Sequence, residues 1–193
     1  MRKPLGLILA GGRGQRMGHV SKADVMLGGR RLLDRCSDRL DPQVDAVVVN
    51  AAAPVSTGYR VIQDTIADYA GPLAGVLAGM IHAEGTGHSH VATVAVDTPF
   101  FPCDLVPRLQ LAALNTSHGL SVACDGAGLH GTFALWPVAL RPALAEYLEQ
   151  GQRKVRTFLE DHNAARALFP DTTPGSFFNI NTPDDLKDAH AWI

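Results

Sequence analysis

The sequence LGLILA at residues 5–10 runs directly into GGRGQRMG at residues 11–18, and Lys22 follows shortly after. A continuous apolar run of this length predicts a buried β-strand, and the glycines predict a turn whose backbone can approach a phosphate closely. Arg13, Arg16 and Lys22 supply positive charge that would neutralise a triphosphate. A turn that only joined a strand to a helix would have no use for three cations. The stretch therefore predicts an α/β protein that binds a nucleotide.

Two common phosphate-binding loops do not fit this stretch. The P-loop requires Gly-Lys followed by Ser or Thr, whereas Lys22 follows Ser21. The dinucleotide fingerprint G-x-G-x-x-G begins at Gly12 and Gly14, but its third glycine position holds Met17. The remaining pattern, LAGGxGxRMGxxxK, resembles the signature loop of nucleotidyltransferases, which couple a nucleoside triphosphate to a phosphorylated acceptor.

Length and composition bound the class of protein. The chain has 193 residues, of which 46% are hydrophobic, so we expect one globular domain over residues 1–193. A net charge of -2 gives no reason to expect a nucleic-acid partner, and the apolar runs are too short to predict a membrane span. Cys36, Cys103 and Cys124 are odd in number and widely spaced, which disfavours disulfides and zinc. We therefore expect a cytoplasmic protein with no nucleic-acid or membrane partner.

Strand-like and helix-like segments alternate along the chain. The predicted strands are residues 5–10, 46–49, 60–63 and 91–96, with an antiparallel pair at 120–123 and 132–136. The predicted helices are residues 31–40, 73–84, 102–114, 138–149 and 153–161, and a last helix that Thr182 caps and Pro183 begins. Strands that are apolar on both faces are typical of a parallel sheet covered on both sides. We expect an α/β fold, a three-layer αβα sandwich around a mostly parallel, Rossmann-like sheet.

Polar residues follow several of these strands, at the edge where open α/β sheets bind ligands. Asp97 ends the apolar run at residues 91–96. A carboxylate at this point suits Mg²⁺, which prefers one or two carboxylates with phosphate oxygens and water. The alternative is that Asp97 stabilises the following turn through Thr98.

Asp64 and Asn50 also stand at strand ends. Guanine presents an N–H and an NH₂ side by side, which one carboxylate can accept together, so Asp64 could select GTP. Asp64 could instead stabilise a turn beside Thr65, and Asp68 is a competing candidate for the base. Asn50 could contact the base or ribose, or it could simply end its strand.

Motifs along nearly the whole chain closely resemble, in the same order, those of the molybdenum cofactor guanylyltransferase family. They are LAGG at 9–12 with RMG at 16–18 and Lys22, VNA at 49–51, QD at 63–64, ADY at 67–69, GPLAG at 71–75, DTP at 97–99 and NINTP at 179–183. The Gly-Gly of the first motif is similar to the members that transfer a guanylyl group, since the cytidylyl-transferring relatives typically carry Ala-Gly there.

The resemblance implies a nucleotidyltransferase fold and a reaction. GMP passes from GTP to the terminal phosphate of molybdopterin, with Mg²⁺ as the cofactor and pyrophosphate as the second product. Lys22 and Asp97 are the implied catalytic residues, and Asp97 is also the implied metal ligand. The implied nucleotide contacts are Leu9, Ala10, Gly11, Lys22, Asn50, Asp64 and Asp97, and we assign Gly12, Arg13 and Arg16 to the triphosphate as well.

The acceptor is expected over the C-terminal half. Asn179 and Asn181 offer amides for a pterin edge, and Arg156 belongs to a basic group, with Arg153 and Lys154, that could meet a phosphate. A solvated helix face is the alternative interpretation of these three cations.

Some residues depart from the family pattern or carry no clear motif. Ser21 precedes Lys22 where family members often have Asp, and Gly131 follows His130 where they often have Pro. The second departure bears on the acceptor side. His130 lies near the predicted hairpin and could reach the acceptor, whereas His88 and His90 are expected in solvent at the start of a strand.

Two other functions remain open from the sequence. One is a nucleotidyltransferase that uses a sugar phosphate or polyol phosphate, although the motifs at 71–75 and 179–181 count against it. The other is a non-catalytic GTP-binding protein that carries a cofactor. The family resemblance adds cofactor-delivery proteins and molybdoenzymes as candidate partners.

Overall fold

The computed structural model of this chain describes residues 2–11, 21–66, 71–114, 116–173 and 175–193. Several sequence predictions fall outside these ranges. They concern Gly12, Arg13 and Arg16 of the glycine-rich loop, and Asp68, the competing candidate for the base.

A seven-stranded sheet forms the centre of the molecule. Its strands are β1 (Leu5–Leu9), β4 (Ala46–Asn50), β5 (Arg60–Ile62), β6 (His90–Ala95), β7 (Ser121–Asp125), β8 (Gly128–Pro137) and β9 (Ala165–Leu168), and a separate pair consists of β2 (Met26–Leu27) and β3 (Arg30–Arg31). The strand order is β5-β4-β1-β6-β8-β7-β9. Within the described part of the seven-stranded sheet, only β8 runs antiparallel to its neighbours, so the predicted mostly parallel sheet is confirmed.

Helices cover both faces of the sheet, as predicted. They are α1 (Leu32–Leu40), α2 (Pro72–Gly85), α3 (Leu105–Ala113), α4 (Arg141–Glu149), α5 (Val155–Asp161) and α6 (Pro183–His190). Ile8 of β1 packs in the core beneath α1, α3 and α6, whereas Leu5 and Leu7 pack in the core beneath α2, α4 and α5. This alternation buries both faces of β1 and explains its continuous apolar sequence.

Three helix predictions need correction. The helix predicted at residues 102–114 begins at Leu105, because Pro102 accepts a turn hydrogen bond from Leu105 and lies before the helix. A single 3₁₀ turn, Val138–Leu140, precedes α4. The helix predicted at residues 153–161 begins at Val155, so Arg153 and Lys154 lie outside it.

The surroundings of two histidines were also predicted wrongly. His90 does begin β6, but its side chain is half-buried, and this burial lowers its pKa. The side chain of His88 is 14% exposed, and its Nε2 lies 3.1 Å from Oδ2 of Asp45. Packing and a charged neighbour therefore take these imidazoles out of solvent.

The start of α6 confirms the predicted cap. The Thr182 side chain accepts a hydrogen bond from the backbone N–H of Asp185, and the Asp185 carboxylate accepts one from the backbone N–H of Thr182. The same carboxylate also accepts from the backbone N–H of Asn181 at 2.9 Å. The hydrogen bonds of this carboxylate with Asn181 and with Thr182 lower the pKa of Asp185. The cap thereby fixes the backbone of the NINTP motif.

Candidate active site

The carboxyl ends of the parallel strands border a cleft of about 230 Å³. Residues 9–11 form part of its wall, together with the side chains of Lys22, Asn50, Asp64 and Asp97. We call this space the strand-end cleft. The structure therefore brings together the described residues that were predicted to bind the nucleotide, at the sheet edge where ligands bind in open α/β folds.

Lys22 lies at the centre of a polar network in the strand-end cleft. Its Nζ donates to Oδ2 of Asp97 at 2.7 Å and to Oδ1 of Asn181 at 2.5 Å. The side chains of Lys22 and Asp97 are only 18% and 19% exposed, so water screens this ion pair less than it screens a surface pair. Asn181 was predicted to bind the acceptor, but here it contacts the lysine.

The other Asp97 oxygen faces the turn after β6. The Thr98 hydroxyl lies 3.3 Å from Oδ1 of Asp97 and also donates to Oδ1 of Asn179. In addition, the backbone N–H of Ile180 donates to the carbonyl oxygen of Asp97 at 2.8 Å. The turn contact that was considered as an alternative for Asp97 is therefore present, and it leaves the carboxylate in the cleft.

The donor set at Asp97 suits a magnesium ion that enters with a phosphate ligand. Within the described ranges, no three His, Cys, Asp or Glu side chains gather into a metal-binding group. These residues therefore do not form a metal site in which the protein supplies all the ligands. One carboxylate completed by phosphate oxygens and water is a common arrangement for Mg²⁺, and Asp97 provides that carboxylate.

Asn50 and Asp64 contact each other directly. Asn50 is only 3% exposed, and its Nδ2 donates to Oδ1 of Asp64 at 2.8 Å. On the opposite side, Oδ1 of Asn50 faces Gly75 of α2, where an added Cβ would lie 2.4 Å from that oxygen. Glycine is therefore required at position 75 for this close approach. The amide of Asn50 is held between α2 and the Asp64 carboxylate.

A second cavity of about 300 Å³ adjoins the strand-end cleft. Residues 129–133 line it together with Val155, Arg156, Phe177 and Asn179. The two spaces share Thr132 and Asn179 as lining residues. A ligand in one space can therefore be adjacent to a ligand in the other.

An irregularity in the pairing of β7 with β8 builds the wall of the second cavity. Val122 is paired with Ala134, but the next residue, Ala123, is paired with His130. Residues 131–133 of β8 therefore have no partner in β7, and all three line the cavity. Such bulges redirect side chains and occur often beside functional sites.

The predicted acceptor residues do not all lie in one place. Asn179 lines both cavities, and Arg156 lines the second. The Arg156 side chain is 73% exposed, and its hydrogen bond to Glu160, at 2.8 Å, raises its pKa. Arg153 instead donates to the carbonyl of Leu148 at the end of α4, so the three cations do not form one phosphate-binding group.

Comparison with known proteins identifies the family. A family model described as a MobA-like NTP transferase domain matches residues 6–166. A molybdenum cofactor guanylyltransferase of Rhizobium meliloti (strain 1021) is 44% identical over 202 residues, which cover 98% of this chain and 92% of the relative. The protein of that name from Rhizobium leguminosarum bv. trifolii (strain WSM2304) is 46% identical over 195 residues, with coverages of 97% and 92%. The chain belongs to the molybdenum cofactor guanylyltransferase family.

The fold of this chain agrees with a solved structure. Molybdopterin-guanine dinucleotide biosynthesis protein A from Archaeoglobus fulgidus superposes with a TM-score of 0.74 at 24% identity, covering 97% of each chain. This likeness confirms the expected nucleotidyltransferase fold. The family model and the two relatives confirm the family resemblance. No helix in the described part of the chain is long and apolar enough to cross a bilayer.

Some residues of the candidate site were missed by sequence reasoning. Thr132 lines both cavities, yet no motif includes it. Gly75 was quoted only as part of a motif, although its lack of a side chain is what admits Asn50. A glycine inside an otherwise regular helix was the signal that could have found it.

Proposed function

We propose that this chain transfers GMP from GTP to the terminal phosphate of molybdopterin, which yields the guanine dinucleotide form of the cofactor and pyrophosphate. The observation that carries the proposal is the junction of two cavities at Thr132 and Asn179. One cavity gathers a cation and carboxylates at the strand ends, and the other has room for an acceptor. Relatives at 44% and 46% identity are named molybdenum cofactor guanylyltransferases, which supports guanylyl transfer.

In the proposed reaction, a terminal phosphate oxygen of the acceptor attacks the α-phosphorus of GTP. The new bond joins that oxygen to phosphorus, and the bond from the α-phosphorus to the bridging oxygen of pyrophosphate breaks. A phosphate monoester is already anionic near neutral pH, so a strong general base is not required. The protein then contributes by positioning the acceptor phosphate and GTP and by neutralising the charge of the phosphates.

Lys22 is the proposed catalytic cation. Its ammonium group lies in the strand-end cleft, where it faces Asp97 and Asn181. When phosphates occupy the cleft, the group can turn from the carboxylate to the phosphate oxygens, because a lysine side chain is long and flexible. It would then stabilise the charge that develops on the transferred group.

Asp97 is the proposed ligand of a divalent metal ion, which we take to be Mg²⁺. When bound, that ion supplies positive charge to the triphosphate oxygens. The contacts of Asp97 to Thr98 and to the backbone of Ile180 hold the carboxylate at the end of β6. Because Oδ2 of Asp97 is engaged by Lys22, metal binding and the movement of Lys22 toward phosphate would occur together.

Asp64 is proposed to read the guanine base, and Asn50 to hold Asp64 in place. A carboxylate has about four lone-pair sites, so Oδ1 can accept from both Asn50 and a guanine N–H. Asn50 would thus contribute to the nucleoside site mainly through Asp64. The backbone at residues 9–11 lines the same cleft. With Gly12, Arg13 and Arg16, it is proposed to bind the triphosphate.

The second cavity is the proposed acceptor site. Asn179 borders both spaces and Arg156 stands at the edge of the second, so the two could direct the acceptor phosphate toward the nucleotide. Asn181 would act from the other side, through its contact with Lys22. We further propose that residues 1–193 form one cytoplasmic domain that hands its product to delivery proteins or molybdoenzymes, without nucleic-acid or membrane partners.

The decisive experiment measures pyrophosphate release by the purified chain with GTP, Mg²⁺ and molybdopterin. Release is expected with GTP and to a much smaller extent with CTP or ATP. Replacing molybdopterin by a sugar phosphate or a polyol phosphate is expected to stop it. GTP binding without pyrophosphate release in the complete mixture would contradict the proposal and favour a carrier function.

A further inference from the structure

The imidazole of His130 lines the second cavity, and the proposed reaction gives this residue no role. The ring stacks on Phe177, with a centroid separation of 4.1 Å and an angle of 19° between the planes. Phe177 is 7% exposed and packs edge-on against Phe133 and Phe169, at 5.1 and 5.4 Å. An aromatic cluster in the core therefore fixes one face of the imidazole.

Asp125 restrains the same ring from its edge. Nε2 of His130 lies 2.8 Å from Oδ1 of Asp125, and the two side chains are 19% and 13% exposed. The two atoms are close enough for an ion pair, but their alignment is too poor for a hydrogen bond, so the buried Nε2 has no directed partner. Oδ1 of Asp125 already accepts a hydrogen bond from the backbone N–H of Ala127 at 2.9 Å.

These contacts leave the second ring nitrogen available. In the tautomer that places its proton on Nε2, the nitrogen beside the Asp125 carboxylate, the imidazole carries its lone pair on Nδ1. Nδ1 forms no hydrogen bond with the part of the chain that the structure describes. A ring nitrogen that is held in the wall of a cavity and has no protein partner is a candidate for binding a ligand there.

The rest of the second cavity suits a planar heterocycle. Leu129, Phe133 and Val155 give it apolar walls, and the polar groups of His130 and Asn179 lie among them. Ligand sites typically combine such walls with a few oriented polar groups. Gly131 contributes here, because an added Cβ would lie 2.8 Å from Cγ1 of Val155. The absence of a side chain at this position therefore lets α5 come close to β8.

We propose that His130 is a specificity-determining residue for the acceptor. Its Nδ1 accepts a hydrogen bond from an N–H group on the edge of the acceptor's planar nitrogen heterocycle. Phe177 and Asp125 hold the imidazole in the orientation that this bond requires. The inference rests on the proposed function, because it places the acceptor in the second cavity.

The test compares steady-state kinetics of wild type and His130→Phe, which keeps the stacking on Phe177 and removes both ring nitrogens. The KM for molybdopterin is expected to rise about tenfold, which corresponds to the loss of one hydrogen bond. The KM for GTP and kcat are expected to stay within about twofold, because the strand-end cleft is untouched. Asp125→Asn is expected to raise the same KM, by a smaller factor.

His118→Phe is the matched control, because His118 is exposed in the turn before β7. It should leave both KM values unchanged. An unchanged KM for molybdopterin in a folded His130→Phe protein would overturn the proposal, and so would an equal rise in the KM for GTP. If His130→Phe does not fold, Asp125→Asn is the test. A raised KM for molybdopterin in that variant supports the proposal, and an unchanged KM overturns it.

Calorimetric titration of molybdopterin into the protein separates this inference from the proposed function. If wild type releases no pyrophosphate, the proposed function fails. The inference still stands in that case if wild type binds molybdopterin and His130→Phe binds it about tenfold more weakly. Equal binding by the two proteins, or no binding by wild type, overturns it.

Discussion

Lys22 and Asp97 form an ion pair at 2.7 Å, although they are 75 residues apart in the chain. One carries the positive charge proposed for the phosphates, and the other carries the carboxylate proposed for the metal. Each charge is compensated by the other, so neither is left unpaired in a partly buried cleft. In the proposed reaction this ion pair would be replaced by contacts of Lys22 with the phosphates and of Asp97 with the metal ion.

Removing the Lys22 charge should stop turnover and leave the fold intact. Lys22→Met keeps most of the side-chain volume, and pyrophosphate release is expected to fall by about 10²–10³-fold, as when a group that stabilises the transition state is lost. Lys187→Met provides the control, because Lys187 is exposed on α6. Turnover of Lys22→Met near that of the control would exclude a catalytic role for Lys22.

Replacing the Asp97 carboxylate by an amide should weaken the use of metal. In Asp97→Asn, the Mg²⁺ concentration for half-maximal activity is expected to rise at least about tenfold, since a neutral amide is a poorer ligand for a hard cation. The measurement is a Mg²⁺ titration at saturating GTP, with the exposed Asp188→Asn as the matched control. An unchanged titration curve would remove Asp97 from the metal site.

Base selectivity should depend on Asp64. The preference for GTP over CTP and ATP, measured as a ratio of kcat/KM values, is expected to fall about 10-fold or more in Asp64→Ala, because the guanine edge then loses its charged acceptor. Wild type and variant are compared with the same nucleotide panel. Equal selectivity in the two proteins would rule out guanine reading by this residue.

Asn50 should act through Asp64, and a double-mutant cycle can show it. Asn50→Ala is expected to raise the KM for GTP in the wild-type background, because Asp64 loses the hydrogen bond that holds Oδ1. The same change in Asp64→Ala should have little further effect, since residues that act as a pair are not additive. Additive losses would mean instead that Asn50 contacts the nucleotide independently.

Two glycines of α2 provide a matched stability test. A Cβ at Gly75 would lie 2.4 Å from Oδ1 of Asn50 and 2.8 Å from Cδ2 of Leu9, whereas a Cβ at Gly85 would meet nothing within 4 Å. Gly75→Ala should therefore lower the free energy of unfolding by about 1–3 kcal/mol through overpacking. Gly85→Ala should be neutral or stabilising by up to about 1 kcal/mol. Urea unfolding measures both, and similar values would contradict the close approach of Asn50.

The capping carboxylate of Asp185 should make stability depend on pH. Its pKa is lowered in the folded state, first of all by the backbone hydrogen bond from Asn181, so it stabilises the fold above its ordinary pKa of 3.8. That contribution is lost as the pH falls from this value through the lowered folded-state pKa. Asp185→Asn should thus be less stable than wild type at pH 7, and the difference should disappear at low pH. Asp184→Asn, on the same helical turn, is the control, and a pH-independent difference for Asp185→Asn would contradict the assignment.

The convergence of polar residues on the strand-end cleft could be predicted because strand ends are local signals. Asn50 and Asp97 each directly follow an apolar run, and parallel strands bring such ends to one edge of a sheet. Nothing local indicated that Asn50 would donate to Asp64, or that Asn181 would accept from Lys22, because both contacts depend on how loops close in three dimensions.

The second cavity was harder to predict. Its wall depends on residues 131–133 leaving the regular pairing of β8, and an apolar strand pattern does not reveal such a bulge. In the sequence, the neighbouring cations Arg153, Lys154 and Arg156 looked like one group. In the structure, however, Arg153 donates to the carbonyl of Leu148 at the end of α4, and Arg156 donates to Glu160. Short edge elements such as β9 were missed, since its residues alternate between exposed and buried over only four positions.

The shared border at Thr132 and Asn179 has a consequence for inhibitor design. A single compound could bridge this border by joining a guanosine to an acceptor-like ring through a short phosphonate link. Tethering makes the second contact intramolecular, so the affinities of the two halves reinforce each other. Enzymes that share only the nucleotide half would gain nothing from the added ring, and the compound would discriminate against them.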